Sequence, residues 1–316
     1  MYFTSLSLDL YQLSFKFDKL NLKILAILNP KSQNAKEVHD VSKSIIGVKN
    51  IQVYNNVSEI TSSKPQIIAC FGGDGTIHKI VNDVIDANLN KKCALAVFPC
   101  GSSNGVCASL NIFETKDALE SLLNHPISVP LMKVTFANQV KHAVMGVGWG
   151  IIADHDYYAE NSLRFLGCLR SILVPMLILA KFKRYAGSVT MTLMNNKKKV
   201  ITANDFFMVQ VMKMGFIASD LLMFPDCDAF DSVLHVMIIR LQNVSRMEII
   251  RLMWEMNDTS RSTNYEKYKF VEVYKCKKVT IEPKTNKNFS LDGEYHECDT
   301  LHVEIGKKIR ICSNLK

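Results

Sequence analysis

The segment Phe71-Gly-Gly-Asp-Gly-Thr76 constrains this chain more than any other stretch. It joins an apolar run, Gln66-Ile-Ile-Ala-Cys70, to a helix candidate from Ile77 to Val84. Strand, glycine turn and helix form the repeating unit of open α/β sheets, whose ligands bind outside the carboxyl ends of the strands. Glycine lets backbone N–H groups approach a phosphate closely, and the helix behind the turn presents its positive end. A carboxylate at Asp74 would repel a phosphate, so it needs another role, which is to orient a hydroxyl, take its proton or hold a metal ion. The plainer alternative is a tight turn with Asp74 as helix N-cap.

Around this turn the texture is regular. Lys23-Ile-Leu-Ala-Ile-Leu-Asn29 reads as a buried strand, Ala35 to Ile46 as a helix and Ile51-Gln-Val-Tyr54 as a short strand. Cys93-Ala-Leu-Ala-Val-Phe98 is a further strand, and Asn104–Leu110 and Lys116–Leu123 are expected helices. Alternating strands and helices predict a mostly parallel sheet, a Rossmann-like α/β domain over residues 22–128. Residues 1–21 alternate apolar and polar, with Leu6, Leu8 and Leu10 in one run and Leu13, Phe15 and Phe17 in the next, which predicts an N-terminal extension of one or two strands.

Beyond Ile127 strands dominate: Lys133–Ala137, Ala143–Val147, Val189–Leu193, Asp205–Val211, Val233–Arg240, Lys269–Tyr274, Lys278–Pro283 and Leu301–Ile305. Val244–Met256 reads as a helix, and a helical region is expected over about 157–183. Strands without regular intervening helices predict a C-terminal antiparallel β-sandwich over 129–316.

Composition narrows the function classes. The 316 residues are 48% hydrophobic and carry a net charge of +8, enough for a real core and not disordered. Basic clusters at Lys181/Lys183/Arg184, Lys197–Lys199, Lys275/Lys277/Lys278 and Lys307/Lys308/Arg310 suit solvated strand ends, phosphorylated ligands or anionic membrane surfaces. There is no aromatic-basic ladder for nucleic acid. Nine cysteines without a CxxC pair favour reduced thiols in a cytosolic chain over disulfides or a zinc site. The start lacks signal-peptide character, and the longest apolar run, Ser171 to Ala180, is too short to span a bilayer.

Two further motifs complete the constellation. Pro99-Cys-Gly-Ser-Ser-Asn-Gly105 repeats the strand–turn–helix geometry, and Ser290-Leu-Asp-Gly-Glu294 places two acids around a glycine, a pattern that by itself is an ordinary hairpin turn. No GxxxxGK[ST], GxGxxG after a strand or HExxH occurs. The three motifs, in this order and spacing over residues 22–316, resemble the diacylglycerol kinase catalytic superfamily, which carries Gly-Gly-Asp-Gly, Pro-x-Gly-Thr/Ser-x-Asn and a late Asp-Gly-Glu. NAD kinases share only the first. Within the superfamily, Gly148-Trp-Gly-Ile-Ile-Ala-Asp-His-Asp156 is similar to the Ala-Asp-x-Asp signature of sphingosine kinases. Glu160, Arg164-Phe-Leu-Gly167 and Arg170 resemble the Glu…Arg…Leu-Gly…Arg run that follows it there, Arg164 with a one-residue insertion.

The resemblance implies an ATP-dependent lipid kinase that phosphorylates the primary hydroxyl of a sphingoid base, with ATP and magnesium as cofactors. Asp74 would activate that hydroxyl. Asn29, Pro30, Lys31, Gly72, Gly73, Gly75, Thr76, Gly101, Ser102, Ser103 and Asn104 would surround the nucleotide. Arg164 and Arg170 would reach its phosphates, and Asp292, Gly293 and Glu294 would lie beside it, the two acids directly or through magnesium. Asp156 would hold the amine and hydroxyl head of the lipid, near Gly146, and Leu166, Leu169 and Leu173 on a helical lid would cover its chain. The implied setting is cytoplasmic, with transient docking on anionic membrane, no nucleic-acid partner, and a homodimer left open.

The chain departs from the family pattern in four places. The first phosphate loop, Asn29-Pro-Lys-Ser-Gln-Asn-Ala35, has no glycine; Ser103 stands where glycine is usual, Lys79 where a glutamate is, and Gly146 where a serine is. The rival readings are a ceramide or diacylglycerol kinase of the same superfamily, and a lipid-binding regulator with impaired phosphotransfer.

Overall fold

A computed structural model describes residues 13–14, 16–17, 23–32, 34–47, 51–54, 65–158, 181–258 and 263–315. The chain divides into two units, Met1–Pro130 with Lys308–Lys316, and Leu131–Lys307.

In the first unit the elements run β1 (Ile24–Leu28), α1 (Ala35–Ile46), β2 (Ile51–Tyr54), β3 (Ile67–Gly72), α2 (Asp74–Asp86), β4 (Ala94–Pro99), α3 (Gly105–Ser109) and α4 (Thr115–Ser121). The strands pair in the order β2-β1-β3-β4, all parallel. All six residues of β3 are buried and so are five of six in β4, the continuous burial of strands covered on both faces. Because β1 pairs with β2 on one side and β3 on the other, the strand order reverses between β1 and β3. A crevice for a ligand opens at the carboxyl end of such a reversal.

The last nine residues, which sequence texture groups with the β-rich domain, return to this first unit. Arg310 and Ile311 pair parallel to Ala94 and Leu95, and Cys312 N donates to Leu95 O at 2.7 Å. A pairing across more than 200 residues leaves no local trace in the sequence. At the N-terminus, Leu13, Ser14, Lys16 and Phe17 are helical where alternation predicts a strand. Leu13 and Phe17 are both buried; residues four apart share one helix face as well as one strand face, so the pattern alone does not separate the two.

The second unit contains β5 (Ile127–Phe136), β6 (Gln139–Ala143), β7 (Gly146–Gly150), α5 (Ile151–Tyr157), β8 (Tyr185–Leu193), β9 (Lys198–Met212), β10 (Phe216–Ala218), β11 (Leu221–Leu222), β12 (Leu234–Arg240), α6 (Arg246–Asn257), β13 (Val271–Pro283), β14 (Asn288–Leu291), β15 (Glu294–Glu297) and β16 (Leu301–Ile311), whose first residues belong here. Both β8 and β12 pair antiparallel with the long strands β9 and β13, at opposite ends of each. The four strands therefore close on one another. They enclose a core that includes Trp149, Tyr185, Phe206, Val211, Val236, Ile281 and Phe289.

Two strand boundaries differ from expectation. The predicted strand Ala143–Val147 is broken between β6 and β7, because Val144, Met145 and Gly146 turn their N–H groups to the Asp292 carboxylate instead of a ladder. The predicted strands at 269–274 and 278–283 are one strand, β13, with an irregularity between Cys276 and Lys278 in its pairing with β8. Of the helical region expected over 157–183, residues 159–180 lie outside the described residues, and α5 begins earlier, at Ile151.

Candidate functional site

Three loops at the carboxyl ends of β1, β3 and β4 cluster the first group of candidate residues, all within the first unit. Asn29 closes its own loop by accepting from Lys31 N at 3.0 Å, and its amide donates to Thr76 Oγ1 at 2.8 Å. Ser32 Oγ donates to Cys100 O. The glycine-free first loop is thus fastened by side chains to both glycine turns, which substitutes polar tethers for glycine's close backbone approach. Pro30, Lys31, Gly75, Ser102 and Ser103 line the exposed rim.

The glycines have separate reasons. A Cβ on Gly101 would fall well inside contact distance of Gly73 Cα, and one on Gly73 would meet Gly101 Cα at 3.0 Å, so the two turns press backbone to backbone. A Cβ on Gly75 would meet nothing within 4 Å. The chain's own packing leaves that position bare at the first turn of α2, at the positive end of the helix. Asn104, at φ +52, accepts from Gly101 N at 2.8 Å and donates back to Gly101 O at 2.9 Å, which holds the second turn shut.

Asp74 is the first residue of α2, and Gly73 is its N-cap. The Asp74 carboxylate crosses to the second turn instead, accepting from Gly105 N at 3.1 Å and Val106 N at 3.0 Å. It therefore caps α3, a helix remote in sequence. Two N–H bonds, one to each oxygen, fix the carboxylate's plane. Behind it the buried Cys107 thiol is pushed well above its ordinary pKa by burial, and further by the Asp74 charge, so it is packing and not a nucleophile. Lys79 pairs along α2 with Asp83 at 2.7 Å.

In the second unit, Asp156 lies on α5 with its side chain 16% exposed. Ser290 Oγ donates to it, and His155 Nδ1 stands 3.0 Å from its other oxygen. Asp154 and Asp156 both lie within α5, which begins at Ile151 with Gly150 as its cap. Asp154 is buried and accepts from Lys183 Nζ at 2.8 Å, Tyr185 OH at 2.9 Å and Asn286 Nδ2 at 2.6 Å. That hydrogen bond raises the Lys183 pKa. Asp154 anchors α5, and Asp156 meets Ser290 of β14 with part of its side chain exposed. Sequence reading missed Ser290, Asn286 and Tyr185 as partners, because only the β14 hairpin and the start of β8 bring them to α5.

Asp292 has a structural task of its own. It occupies the β14–β15 turn with φ +49, followed by Gly293 at +86, a two-residue hairpin of the type that needs left-handed residues. Its carboxylate is buried and accepts from Val144 N at 2.7 Å, Met145 N at 2.9 Å and Gly146 N at 2.8 Å. Three of its four or so acceptor positions are taken by backbone, so it does not fit a metal ligand. Glu294 stands 3.9 Å from His296 Nε2, and no group of three or more His, Cys, Asp or Glu able to hold a metal ion occurs among the described residues. Gly146 is held by packing, since a Cβ there would meet the Gln210 amide at 2.8 Å. Arg164, Leu166, Leu169, Arg170 and Leu173 lie outside the described residues.

A parallel sheet with two glycine turns and one clasped carboxylate defines a nucleotide-type α/β unit joined to a β-rich unit. Residues 23–134 match the diacylglycerol kinase catalytic domain. A candidate lipid kinase of Staphylococcus carnosus (strain TM300) is 21% identical over 71% of this chain and 68% of its own. "Sphingosine kinase 2" of Arabidopsis thaliana is 25% identical over 42% of this chain, and "Sphingosine kinase 1" of Caenorhabditis elegans is 23% identical over 53%. These alignments span only 29% and 42% of the two sphingosine kinases. A solved structure of a diacylglycerol kinase from Bacillus anthracis str. Sterne has the same fold, with a TM-score of 0.63 at 17% identity over 94% of this chain and 98% of that one. Residues 23–134 thus match a diacylglycerol kinase catalytic domain, and the chain is similar, at low identity, to lipid kinases.

Proposed function

We propose that this chain transfers the γ-phosphoryl group of ATP to the primary hydroxyl of a sphingoid base. The observation that carries the substrate reading is Asp156, a partly exposed carboxylate whose orientation is fixed by Ser290 and His155. A carboxylate so placed pairs with the ammonium of an amino alcohol and gains little from a neutral glycerolipid head.

Phosphoryl transfer asks little covalent chemistry of a protein and much positioning. The loops after β1, β3 and β4 hold the nucleotide, with Gly75 leaving room at the start of α2 and Lys31 supplying charge at the rim. Asp74 accepts the hydroxyl proton as the lipid oxygen bonds to the γ-phosphorus and the bond to ADP breaks. The two N–H groups from α3 keep its carboxylate oriented for that transfer. Magnesium travels with ATP in enzymes of this chemistry, and no step here is assigned to a protein-bound ion. Arg164 and Arg170 remain assigned to the phosphates, and Leu166, Leu169 and Leu173 to the lipid chain, on the sequence resemblance alone.

The enzyme in this reading is cytoplasmic and docks transiently on anionic membrane to reach its lipid. No helix among the described residues is long and apolar enough to cross a membrane. In support of docking, α6 buries Ile249, Leu252 and Met256 but leaves Trp254 79% and Met247 70% exposed.

The test is a phosphorylation panel of sphingosine, ceramide, diacylglycerol and NAD, run on wild type and on Asp156→Ala. A charged hydrogen bond contributes about 1.5–3 kcal/mol, so Asp156→Ala should weaken sphingosine binding roughly 10- to 150-fold with ATP binding kept. Asp156→Asn should be intermediate. Wild type that prefers ceramide or diacylglycerol would refute the sphingoid reading, and a chain that turns over no lipid would favour the regulator.

A further inference from the structure

Register places a row of four residues on one face of the second unit's sheet: Ser290 on β14, Gly148 on β7, Gln210 on β9 and Met237 on β12. Directly paired residues point to the same face. The opposite face carries Phe289, Trp149, Val209 and Ile238, Val209 and its neighbours belonging to the apolar core. Gln210 thus stands outside that core, on the face covered by α5.

Its position there is unusual in three respects. Gln210 is only 3% exposed, and among the described residues its Oε1 has no hydrogen-bond partner. The amide lies flat over β7: a Cβ on Gly146 would meet Nε2 at 2.8 Å, and one on Gly148 would meet Oε1 at 2.5 Å. Two glycines on that strand clear the space. β7 is also the strand that separates Gln210 from Ser290, whose hydroxyl holds Asp156. Adjacent strands are about 4.8 Å apart, so the amide reaches over β7 toward a Ser290–Asp156 pair whose strand is roughly 10 Å away. The flanking residues on β9 and β12, Met208, Met212 and Met237, are buried and apolar. A buried amide oxygen left without a donor in such surroundings is destabilising, and a native fold that keeps one calls for a ligand or another explanation.

We propose that Gln210 is a specificity residue: its Oε1 accepts a hydrogen bond from a second donor on the lipid head, a hydroxyl other than the one that is phosphorylated. The inference rests on the reading that the lipid head is held at Asp156, and it adds a second polar contact on the same sheet face. A long-chain 2-amino-1,3-diol offers such a donor in its 3-hydroxyl. A lipid whose sole donor is the reacting hydroxyl leaves Oε1 unsatisfied.

Two lipid pairs separate this inference from the sphingoid reading. One is sphinganine and its 3-deoxy analogue; the other is a 1-acylglycerol and its 2-deoxy analogue. Equilibrium binding and KM are measured for wild type, Gln210→Leu and Gln210→Met, the last matching the neighbouring methionines should leucine fit poorly. One neutral hydrogen bond corresponds to roughly a 3- to 10-fold preference for the donor-bearing member of a pair. Both variants should erase that preference by weakening only the donor-bearing lipid, with ATP KM unchanged and thermal stability equal or higher. Erasure in the acylglycerol pair with no binding of either sphingoid lipid would uphold Gln210 and refute the sphingoid reading. A preference that survives both substitutions, or a wild type with none in either pair, would overturn the role of Gln210.

Discussion

Asp74→Asn separates two roles that the structure gives to one side chain. The wild-type carboxylate caps α3 through two N–H bonds, at 3.1 and 3.0 Å, one to each oxygen. Asparagine keeps one acceptor oxygen and turns an NH₂ group toward the other N–H. Losing a cap of this kind costs about 1–2 kcal/mol. Each kcal/mol moves Tm by roughly 2–4 °C in a unit of this size, so the structural effect should be a fall of about 2–8 °C. Loss of the proton acceptor is a different scale, roughly 10²–10⁴-fold in kcat. The assay pairs differential scanning calorimetry with steady-state turnover at about 20 °C, far below the usual melting range of such domains, with ATP binding measured separately. The expected variant is folded, binds ATP, melts a few degrees lower and turns over roughly 100-fold more slowly or worse. A melting point lowered as stated with kcat within about ten-fold of wild type would show that Asp74 only fastens the two turns.

Gly101→Ala should be more damaging to the fold than Gly75→Ala, because its Cβ collides with Gly73 backbone while that of Gly75 meets open space. Thermal melts and ATP titrations should show Gly101→Ala losing both stability and ATP affinity, and Gly75→Ala losing affinity alone; equal stability of the two variants would refute the packing argument. Membrane docking can be read directly, since one of the two tryptophans, Trp149, is fully buried and the other, Trp254, is 79% exposed. Anionic vesicles at low salt should shift the fluorescence to the blue, and Trp254→Ala should abolish the shift while leaving turnover of a dispersed short-chain lipid unchanged. An unshifted spectrum with vesicles that sediment the protein would exclude α6 as the docking element.

How far the sequence reaches can be seen element by element. Helix α1 and strand β2 fall where periodicity places them, Ala35–Ile46 and Ile51–Tyr54, because each is marked by a pattern among near neighbours in the chain. The glycine turns were legible for the same reason: a residue type is tied to a local backbone demand, and the demand shows as spacing. The β14–β15 hairpin was visible too, in Asp292-Gly293, but its meaning was not. Asp292, which reads with Glu294 as a nucleotide-side acid pair, proves to hold the backbone between β6 and β7. That use depends on a segment nearly 150 residues earlier arriving with three N–H groups to donate. Asp74 as the cap of α3, Asp154 as the anchor of α5, and the return of Arg310 and Ile311 to β4 are likewise long-range facts. Gln210 is the sharpest case. In sequence it is one polar residue in an apolar strand, and only register shows that it lies opposite glycine and on the face of Ser290. Local sequence determined which residues could bind or react; tertiary pairing decided which carboxylates were already committed to backbone and which were left to meet a ligand, because hydrogen-bond partners in a sheet fold come from strands far apart in the chain.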